Sequence, residues 1–304
     1  MSSPYCFTFT VFTATYNRAH TLPRLYESLS RQTFQDFEWL VVDDGSTDAT
    51  GLLIREFQRK ASFPIRYVFQ QNAGKHVAVN TGVRLARGEL FLSVDSDNAY
   101  LPNALERFKF HWDSIPADIK PSFSAVSACS QDEQGRLLGT PFPFDPTDSN
   151  SIEIRSRFKV TGEKIGFHRT DVLREFPYPR FPGENRIPDS LVWNRIALKY
   201  KTRYVNETLQ VYYSTPGSWI SNIRKIRAQN PRGFRLSYLE LLQSGYPVPP
   251  KMQARLYINY VRTSFHIGIA LADQGRDIPD KTRWMAAVPL GYLLYTSDRR
   301  LNKT

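Results

Sequence analysis

Within the first hundred residues, short apolar runs alternate with longer segments whose apolar residues recur at helical spacing. In the first helical segment, for example, Leu22, Leu25 and Leu29 share one side of a helix that Thr21 can cap. The crossovers between the apolar runs are too long for hairpins, so the pattern predicts a doubly wound, parallel α/β sheet. The predicted strands are 7–12, 37–42, 65–69 and 89–94, and the predicted helices are 21–32, 46–59 and 72–86.

The middle of the chain has a weaker pattern. Residues 139–151 carry three prolines and several Asp or Asn residues, which is typical of an irregular surface loop. His168 either contacts a substrate or, as we favour, is packed or faces solvent. The other predicted elements are a helix from 101 to 110, strands at 125–130, 158–160, 164–168 and 211–214, a hairpin turn at Gly135, and helices at 169–176 and after Asp189.

The C-terminal region is predicted to be helical, with helices at 234–242 and 252–271. Its last apolar segment, 284–295, has aromatic residues at both ends and flanking arginines. This segment either lies in a membrane interface or packs on the rest of the protein. We therefore expect a domain at 1–218, with halves at about 7–98 and 99–218, followed by a helical region at 219–304.

Composition and charge narrow the classes of protein to which this chain can belong. The chain has 304 residues, 41% of them hydrophobic, and its two cysteines, Cys6 and Cys129, form no disulfide framework. No run is long enough to span a bilayer, so we expect a cytoplasmic protein, either free or peripheral on the inner face of the cell membrane. Residues 219–304 carry 14 Lys and Arg against 5 Asp and Glu, whereas 1–218 carry 26 against 24. A basic tail suggests an anionic partner, either lipid headgroups or nucleic acid.

The candidate chemistry lies at the ends of the predicted strands. Asp95 and Asp97 follow the buried strand at 89–94, where a divalent cation would relieve the repulsion between two carboxylates. The alternative is an Asp-rich turn. Asp44 follows the second strand and the polar segment 13–16 follows the first, so these groups would converge at one edge of the sheet. Lys75, just before a helix, adds a cation suited to phosphate.

Three stretches together resemble the inverting glycosyltransferases of family 2, which have the GT-A fold. They are TATYNRAHTLPRLYESLSRQTFQDFEWLVVDDGSTDAT, NAGKHVAVNTGVRLARGELFLSVDSDN and GENRIPDSLVWNRIA. The resemblance covers residues of about 7–215, and the family includes many bacterial surface-polysaccharide enzymes. It implies a Rossmann-like, mostly parallel sheet flanked by helices, with the C-terminal helices as an extension.

The resemblance also implies roles for individual residues. Asp44 would bind the nucleobase, which suits uracil, and Asp97 would be the main ligand of Mn²⁺ or Mg²⁺. Asp95 would lie near the ribose and the metal. At position 14 this chain has Ala where the family often has Pro or Thr. The difference is in the side chain, so the backbone contacts expected at 13–16 should remain. The residues expected to contact a nucleoside-diphosphate sugar are Thr13, Ala14, Thr15, Tyr16, Asp44, Lys75, Asp95 and Ser96.

The segment 183–197 is expected to supply the base. An inverting transfer needs a carboxylate to accept the proton of the acceptor hydroxyl, and the resemblance favours Asp189. Asp189 is alternatively the N-cap of the helix that follows. Glu184 is the second candidate for the base, or a contact for the acceptor. Downstream, the segment 215–225 is either a lid over the diphosphate or a simple connection.

The sequence therefore predicts a metal-dependent inverting glycosyltransferase that uses a nucleoside-diphosphate sugar, with UDP as the expected nucleotide. The acceptor would be a polysaccharide or a lipid-linked glycan. A nucleotidyltransferase is one alternative, but TATYNR at 13–18 is not the glycine-rich phosphate loop that such an enzyme would show. A non-catalytic basic module that binds a nucleotide and an anionic membrane is the other. No nucleic-acid partner is expected.

Overall fold

The structure, a computed structural model, describes residues 4–214 and 223–301, apart from the side chain of Leu301. It forms two compact units. The described residues of the first unit lie within 1–177 and 199–215, and those of the second lie within 178–198 and 216–304. The predicted boundary at 218 is near one of these transitions, but the sequence did not indicate that 178–198 belongs with the C-terminal helices. Most of the candidate lid at 215–225 lies outside the described residues.

The first half of unit one has the predicted alternation of strands and helices. Parallel pairing gives the strand order β3-β2-β1-β4, and all seven residues of β2 are buried. Leu22, Leu25 and Leu29 of α1 pack into the core, as their spacing predicted. The elements are β1 Phe7–Thr15, α1 Leu22–Ser30, β2 Phe37–Asp43, α2 Thr50–Lys60, β3 Ile65–Phe69, α3 Lys75–Leu85 and β4 Gly88–Ser93.

The second half of unit one extends the same sheet with strands of both directions. Beyond β4 the order continues β8-β6-β9-β5, and β7 pairs with β9. Only the β6–β9 pair is parallel in this half, so the sheet as a whole is mixed. The elements are β5 Ala99–Tyr100, α4 Ala104–Asp113, a 3-10 turn Lys120–Ser122, β6 Phe123–Gln131, β7 Thr147–Ser149, α5 Ser151–Ser156, β8 Lys164–Arg169, α6 Thr170–Glu175 and β9 Lys201–Val211.

Three predictions in this half are wrong. The expected surface loop at 139–151 contains β7 and the start of α5, because the Asn150 side chain accepts bonds from the backbone N–H of Ile152 and Glu153 and caps a helix. Residues 158–160 form no strand. The strand expected at 211–214 is not formed, because β9 begins at Lys201 and ends at Val211, so the prediction missed its residues before 211. A segment rich in Pro, Asp, Ser and Asn has the composition of a turn whether it closes a loop or starts a helix.

Unit two is built of helices. They are α7 Asp189–Ala197, α8 Ile223–Gln229, α9 Pro231–Gln243, α10 Pro250–His266, α11 Leu271–Gln274 and α12 Lys281–Leu301. Helix α10 ends earlier than predicted, just before Gly268, whose φ of +73° favours glycine. Helix α12 is longer than the predicted segment and includes Pro289. None of the helices within the described residues combines the length and apolar character needed to cross a membrane.

A buried charge cluster joins α10 to α12. The carboxylate of Asp298 accepts a hydrogen bond from Nε of Arg262 at 2.6 Å and lies 3.0 Å from Nε2 of His266. All three side chains are buried. Burial alone would raise the pKa of Asp298, but the bonds from His266 and Arg262 outweigh it and hold the pKa at about 2. The cluster fixes the register of the two helices.

We expect Asp298→Ala to lower the free energy of unfolding by about 3–5 kcal/mol at neutral pH, because it leaves the buried Arg262 guanidinium without its carboxylate. Urea unfolding of the full chain measures the loss. Since the pKa of Asp298 is depressed in the folded state, its contribution is present above the unfolded pKa and is lost as pH falls toward about 2. Asp273→Ala, which breaks an exposed pair with Arg276, is the control and should change little. Equal effects of the two variants would contradict the prediction.

Candidate active site

Three strand ends meet at one edge of the first unit's sheet. In the parallel register Thr15 lies beside Asp43, and the backbone N–H of Asp44 donates to the Thr15 carbonyl at 2.8 Å. On the other side of β1, the backbone N–H of Val94 donates to the Phe12 carbonyl at 2.9 Å. The segments 13–16, 43–44 and 95–97 are therefore neighbours, as the order of the parallel strands predicted.

Asp44 holds the loop that follows β3. One carboxylate oxygen accepts bonds from Nε2 of Gln70 at 2.7 Å and from the backbone N–H of Ala73 at 3.0 Å. The other accepts from the backbone N–H of Gly74 at 2.8 Å. Gly74 has a φ of +97°, which suits glycine and turns the chain into α3. The buried carboxylate thus orders the loop and still has lone pairs for a further donor.

Asp43 binds different groups from those that its neighbour Asp44 binds. Its carboxylate accepts bonds from the backbone N–H of Ser46 at 2.8 Å and from the Tyr67 hydroxyl at 2.6 Å. Burial and the Asp43 carboxylate raise the pKa of Tyr67. Asn17, at a φ of +53°, accepts a bond from the backbone N–H of Thr47 and so ties the loop after β1 to the loop after β2. No role for Asn17 was predicted from the sequence, although Asn is the residue type that tolerates this backbone conformation.

The side chains of residues 13–16, at the C-terminal end of β1, have different surroundings. The buried Thr13 hydroxyl accepts a bond from Nε1 of Trp39 at 3.0 Å, so it supports the core. Thr15 is also buried, and its hydroxyl has no hydrogen-bond partner among the described residues. Ala14 is half-buried and Tyr16 is exposed. Only backbone groups and the outer side chains of this segment are therefore placed to meet a ligand.

Lys75 and Asp95 join the loop after β3 to the acidic turn after β4. The Lys75 ammonium lies 2.5 Å from an Asp95 carboxylate oxygen, and the two side chains are 40% and 48% exposed. Loop 73–75 therefore contacts both acidic motifs, because its backbone binds Asp44 while its lysine binds Asp95. Ser96, between the two acids of the turn, is buried.

Two residues that the sequence analysis missed support the acidic turn. Nη1 of Arg24 donates to the Asp97 carbonyl at 3.1 Å, and its guanidinium stacks 3.6 Å above the Tyr213 ring. The backbone N–H of Tyr213 donates to the Asn98 side chain at 3.2 Å. Arg24 is an exposed residue of α1 and Tyr213 follows β9, so only the folded chain brings them together.

The turn fits a divalent cation only with help from a ligand. Within residues 4–214 and 223–301, no group of three or more His, Cys, Asp or Glu side chains is arranged to hold a metal. Asp95 and Asp97 offer oxygen donors of the kind that Mg²⁺ and Mn²⁺ prefer. Mg²⁺ is commonly bound by one or two carboxylates together with substrate phosphates. The residues present suit that shared arrangement rather than a complete protein cage.

Asp189 lies in unit two, at the first position of α7. The N-cap of α7 is Pro188, so the alternative that Asp189 caps this helix is wrong. Asp189 is exposed, and one of its carboxylate oxygens accepts a bond from the Tyr178 hydroxyl at 2.9 Å. Burial, with Asp189 as a second cause, raises the pKa of Tyr178, which therefore stays a donor. The result is an accessible carboxylate that is held by one fixed hydroxyl.

Glu184, also in unit two, has structural partners. Its two carboxylate oxygens accept bonds from the backbone N–H of Arg232 at 2.6 Å and of Gly233 at 2.9 Å, in the first turn of α9. In return, the Asn230 side chain accepts bonds from the backbone N–H of Asn185 and Arg186. Burial raises the pKa of Glu184, against the lowering effect of the two backbone bonds. Glu184 thus supplies the cap that α9 needs.

Helix α7 is also attached to α9. Arg195 of α7 makes a two-pronged ion pair with Glu240 of α9, at 2.7 and 2.6 Å. The hydroxyls of Ser190 and Ser237 lie 3.3 Å apart.

In unit one, burial lowers the pKa of His168 to about 4, and its Nδ1 lies 3.4 Å from the Ser124 hydroxyl, which agrees with the favoured interpretation of a packed histidine.

Comparison with known proteins gives consistent relatives. An uncharacterized glycosyltransferase of Methanocaldococcus jannaschii is 29% identical over 223 residues, 71% of this chain and 74% of that protein. Chondroitin synthase of Escherichia coli is 31% identical over 159 residues, 52% of this chain but 21% of that protein. The chain spans less than a third of the length of several other curated relatives that it matches.

Solved structures share the fold. Staphylococcus aureus TarS 1-349 has a TM-score of 0.63 at 17% identity and covers 96% of this chain and 89% of its own, and the same protein is known in complex with UDP-GlcNAc. The mannosyltransferase PcManGT from Pyrobaculum calidifontis, in complex with GDP-Man and Mn²⁺, has a TM-score of 0.55 at 20% identity and covers 98% of this chain and 84% of its own.

The family assignment follows from a match to a whole-domain model. The model of glycosyl transferase family 2 matches residues 10–169, which is more than half of the chain and includes all three strand ends of the candidate site. With the mixed α/β sheet and the neighbours of GT-A fold, this confirms the family and the enzyme class that the sequence motifs indicated. The chain is a glycosyltransferase and belongs to glycosyl transferase family 2.

Proposed function

We propose that this glycosyltransferase takes a sugar from a UDP-sugar and transfers it, with inversion, to a hydroxyl of a polysaccharide or lipid-linked glycan. The observation that carries the proposal is that residues 73–75 contact both acidic motifs. The backbone of Ala73 and Gly74 binds Asp44, and the Lys75 side chain binds Asp95. A nucleoside diphosphate has a base at one end and phosphates at the other. A single ordered loop between two acidic motifs offers matching groups for both ends.

Asp44 supports a uracil-containing donor. A carboxylate accepts hydrogen bonds only, so it can pair with the N–H of a uracil ring. The bonds from Gln70, Ala73 and Gly74 fix its orientation before a donor arrives. Preorganised groups of this kind lose little conformational entropy on binding.

Lys75 is suited to moving from Asp95 to the diphosphate. The pair is largely exposed, and exposed ion pairs contribute only about 0–1 kcal/mol, so little is lost when it opens. A diphosphate offers the lysine more negative charge than one carboxylate does. Once released, Asp95 could join Asp97 in holding Mn²⁺ or Mg²⁺, which would supply further charge neutralisation at the diphosphate.

Asp189 is the proposed base. The acceptor oxygen forms a bond to the anomeric carbon while the bond from that carbon to the UDP oxygen breaks, and the acceptor proton passes to the Asp189 carboxylate. UDP leaves with the electron pair of the broken bond. Because the acceptor attacks from the side opposite the leaving group, the configuration inverts. The Tyr178 hydroxyl orients the carboxylate through its bond at 2.9 Å.

The proposed acceptor also gives the basic C-terminal helices a purpose. A lipid-linked glycan is presented at a membrane surface, and we propose that these helices keep the enzyme there. The proposed catalytic residues also include Asp189 of α7, and α7 is attached to the C-terminal helices through α9.

We expect UDP to bind more tightly with Mn²⁺ than without it, and Asp97→Ala to remove that gain and abolish turnover. The Asp97 carboxylate belongs to the turn where the diphosphate must be neutralised. Isothermal titration calorimetry of UDP, with and without Mn²⁺, measures the effect. Asp118→Ala, which removes an exposed carboxylate elsewhere in unit one, is the matched control. Equal UDP affinity of the wild-type protein in both conditions would show that the metal role is wrong.

Asp189→Asn should reduce sugar transfer by about 10²- to 10⁴-fold, the usual contribution of a general base. Asparagine keeps the size of the side chain and can still accept the Tyr178 hydroxyl bond, so folding and UDP binding should be unchanged. Initial rates of transfer, together with UDP titration, separate the two effects. Near wild-type transfer by this variant would rule out Asp189 as the base.

Glu184→Gln is the matched comparison. The amide can accept only one of the two backbone bonds from the start of α9, so we expect a loss of stability of about 1 kcal/mol with transfer preserved. Thermal unfolding and the same transfer assay report these quantities. Loss of transfer in Glu184→Gln, with transfer kept in Asp189→Asn, would identify Glu184 as the base instead.

A further inference from the structure

Contacts with α10 decide which side of α12 faces outward. A Cβ atom on Gly291 would lie 2.6 Å from Cγ1 of Val261, so only glycine allows this close approach of the helices. Ala287 and Asp298 are buried on the same side of α12. With about 100° of rotation per residue, these three positions define one inward-facing stripe. The opposite face of α12 is therefore fixed as the outer one.

Exposed large apolar side chains lie on that outer face and at its edges. Met285, Pro289 and Leu293 lie on the face itself. Leu290 and Tyr292 lie at its two edges, where the Tyr292 ring also contacts Phe265 of α10, with ring centroids 5.2 Å apart. Met285 is 65% exposed, Leu293 is 62%, Tyr292 is 51% and Leu290 is 46%. Pro289, also exposed, lies among them on the helix. Isolated apolar side chains on a surface are ordinary, but a contiguous group on one helix face marks a surface that binds something. We call this group, residues 285, 289, 290, 292 and 293, the outer apolar face.

Cations stand at both ends of the outer apolar face. Lys281 and Arg283 precede it, Arg299 and Arg300 follow it, and all four are exposed. Arg283 is turned toward α10, where its Nη1 donates to Oε1 of Gln253, and its Nε pairs with Asp280 at 3.2 Å. The only acidic residue within α12 is Asp298, which is buried and paired with Arg262. The outer surface of this helix is therefore apolar in the middle, with Arg299 and Arg300 at its C-terminal end and Lys281 at its N-terminal end.

We propose that α12 lies flat in the headgroup region of an anionic lipid bilayer, with the outer apolar face toward the acyl chains. A helix of this length extends over about 30 Å, and apolar burial with electrostatic attraction is the recognised means of holding such helices at an interface. Each cation near an anionic surface contributes to the attraction. Tyr292 adds an aromatic ring with a polar tip, which suits the same depth.

The charge pattern favours lipid over other partners. A second copy of the chain, docked on the same face, would bring cations against cations at both ends of α12. Nucleic acid would match the charge but would leave four large apolar side chains without a partner. Anionic lipid matches both features. The inference deepens the proposed function by naming the helix face that meets the membrane, but the binding itself does not depend on the sugar chemistry.

The test is flotation of the full chain with two kinds of vesicles, one of phosphatidylcholine alone and one also containing phosphatidylglycerol. We expect binding to the anionic vesicles, and a reduction of about tenfold or more in Met285→Ser with Leu293→Ser and in Arg299→Gln with Arg300→Gln. High salt should weaken binding of the wild-type chain. Leu52→Ser, which removes an equally exposed leucine on α2, and Arg59→Gln are the matched controls and should bind as wild type does.

Three outcomes would overturn the inference. The first is binding to anionic vesicles that the α12 variants leave unchanged, and the second is no binding by the wild-type chain. The third is a wild-type oligomer, seen by analytical ultracentrifugation without lipid, that Met285→Ser with Leu293→Ser dissociates, because the face would then join copies of the chain. UDP binding and sugar transfer to a soluble acceptor are measured on the same variants. Retained transfer with lost flotation would leave the proposed function intact and support the membrane role.

Discussion

The candidate donor site depends on the bonds between the Asp44 carboxylate and the loop after β3. Those bonds, from Gln70, Ala73 and Gly74, hold the loop against the sheet edge and bring Lys75 to Asp95. Bonds from backbone N–H groups to a carboxylate are among the stronger hydrogen bonds in proteins, and here the carboxylate is buried. Without them, the two acidic motifs would be separate features of β2 and β4, which lie on opposite sides of β1. With them, they belong to one surface.

The candidate base is supported in a comparable way, but by a different part of the chain. Glu184 and Asn230 exchange bonds with each other's backbone segments, and Arg195 pairs with Glu240. The segment before α7, and α7 itself with Asp189 at its first position, are thereby attached to α9. The C-terminal helices are thus more than an extension, because they hold the segment that would accept the proton.

Charge is used in two distinct ways in the helical unit. The buried cluster of Arg262, His266 and Asp298 fixes α12 on α10, and it takes the only acidic residue of α12 away from the surface. The remaining cations of α12 are exposed at its ends. Internal packing and outer charge are therefore linked, since the carboxylate that stabilises the helix pair no longer offsets the positive surface.

The sequence by itself determined the order of strands and helices in the first hundred residues, and it placed Asp44, Asp95 and Asp97 at strand ends. It could do so because hydrophobic periodicity is a local property, and parallel strands bring their carboxyl ends to one edge. It also identified the family. It could not determine the antiparallel strands of the second half, the support of Asp97 by Arg24, or the structural partners of Glu184. Those features depend on which distant segments meet. An exposed arginine or a loop glutamate has the same local pattern whatever it contacts, so only the tertiary structure decides its role.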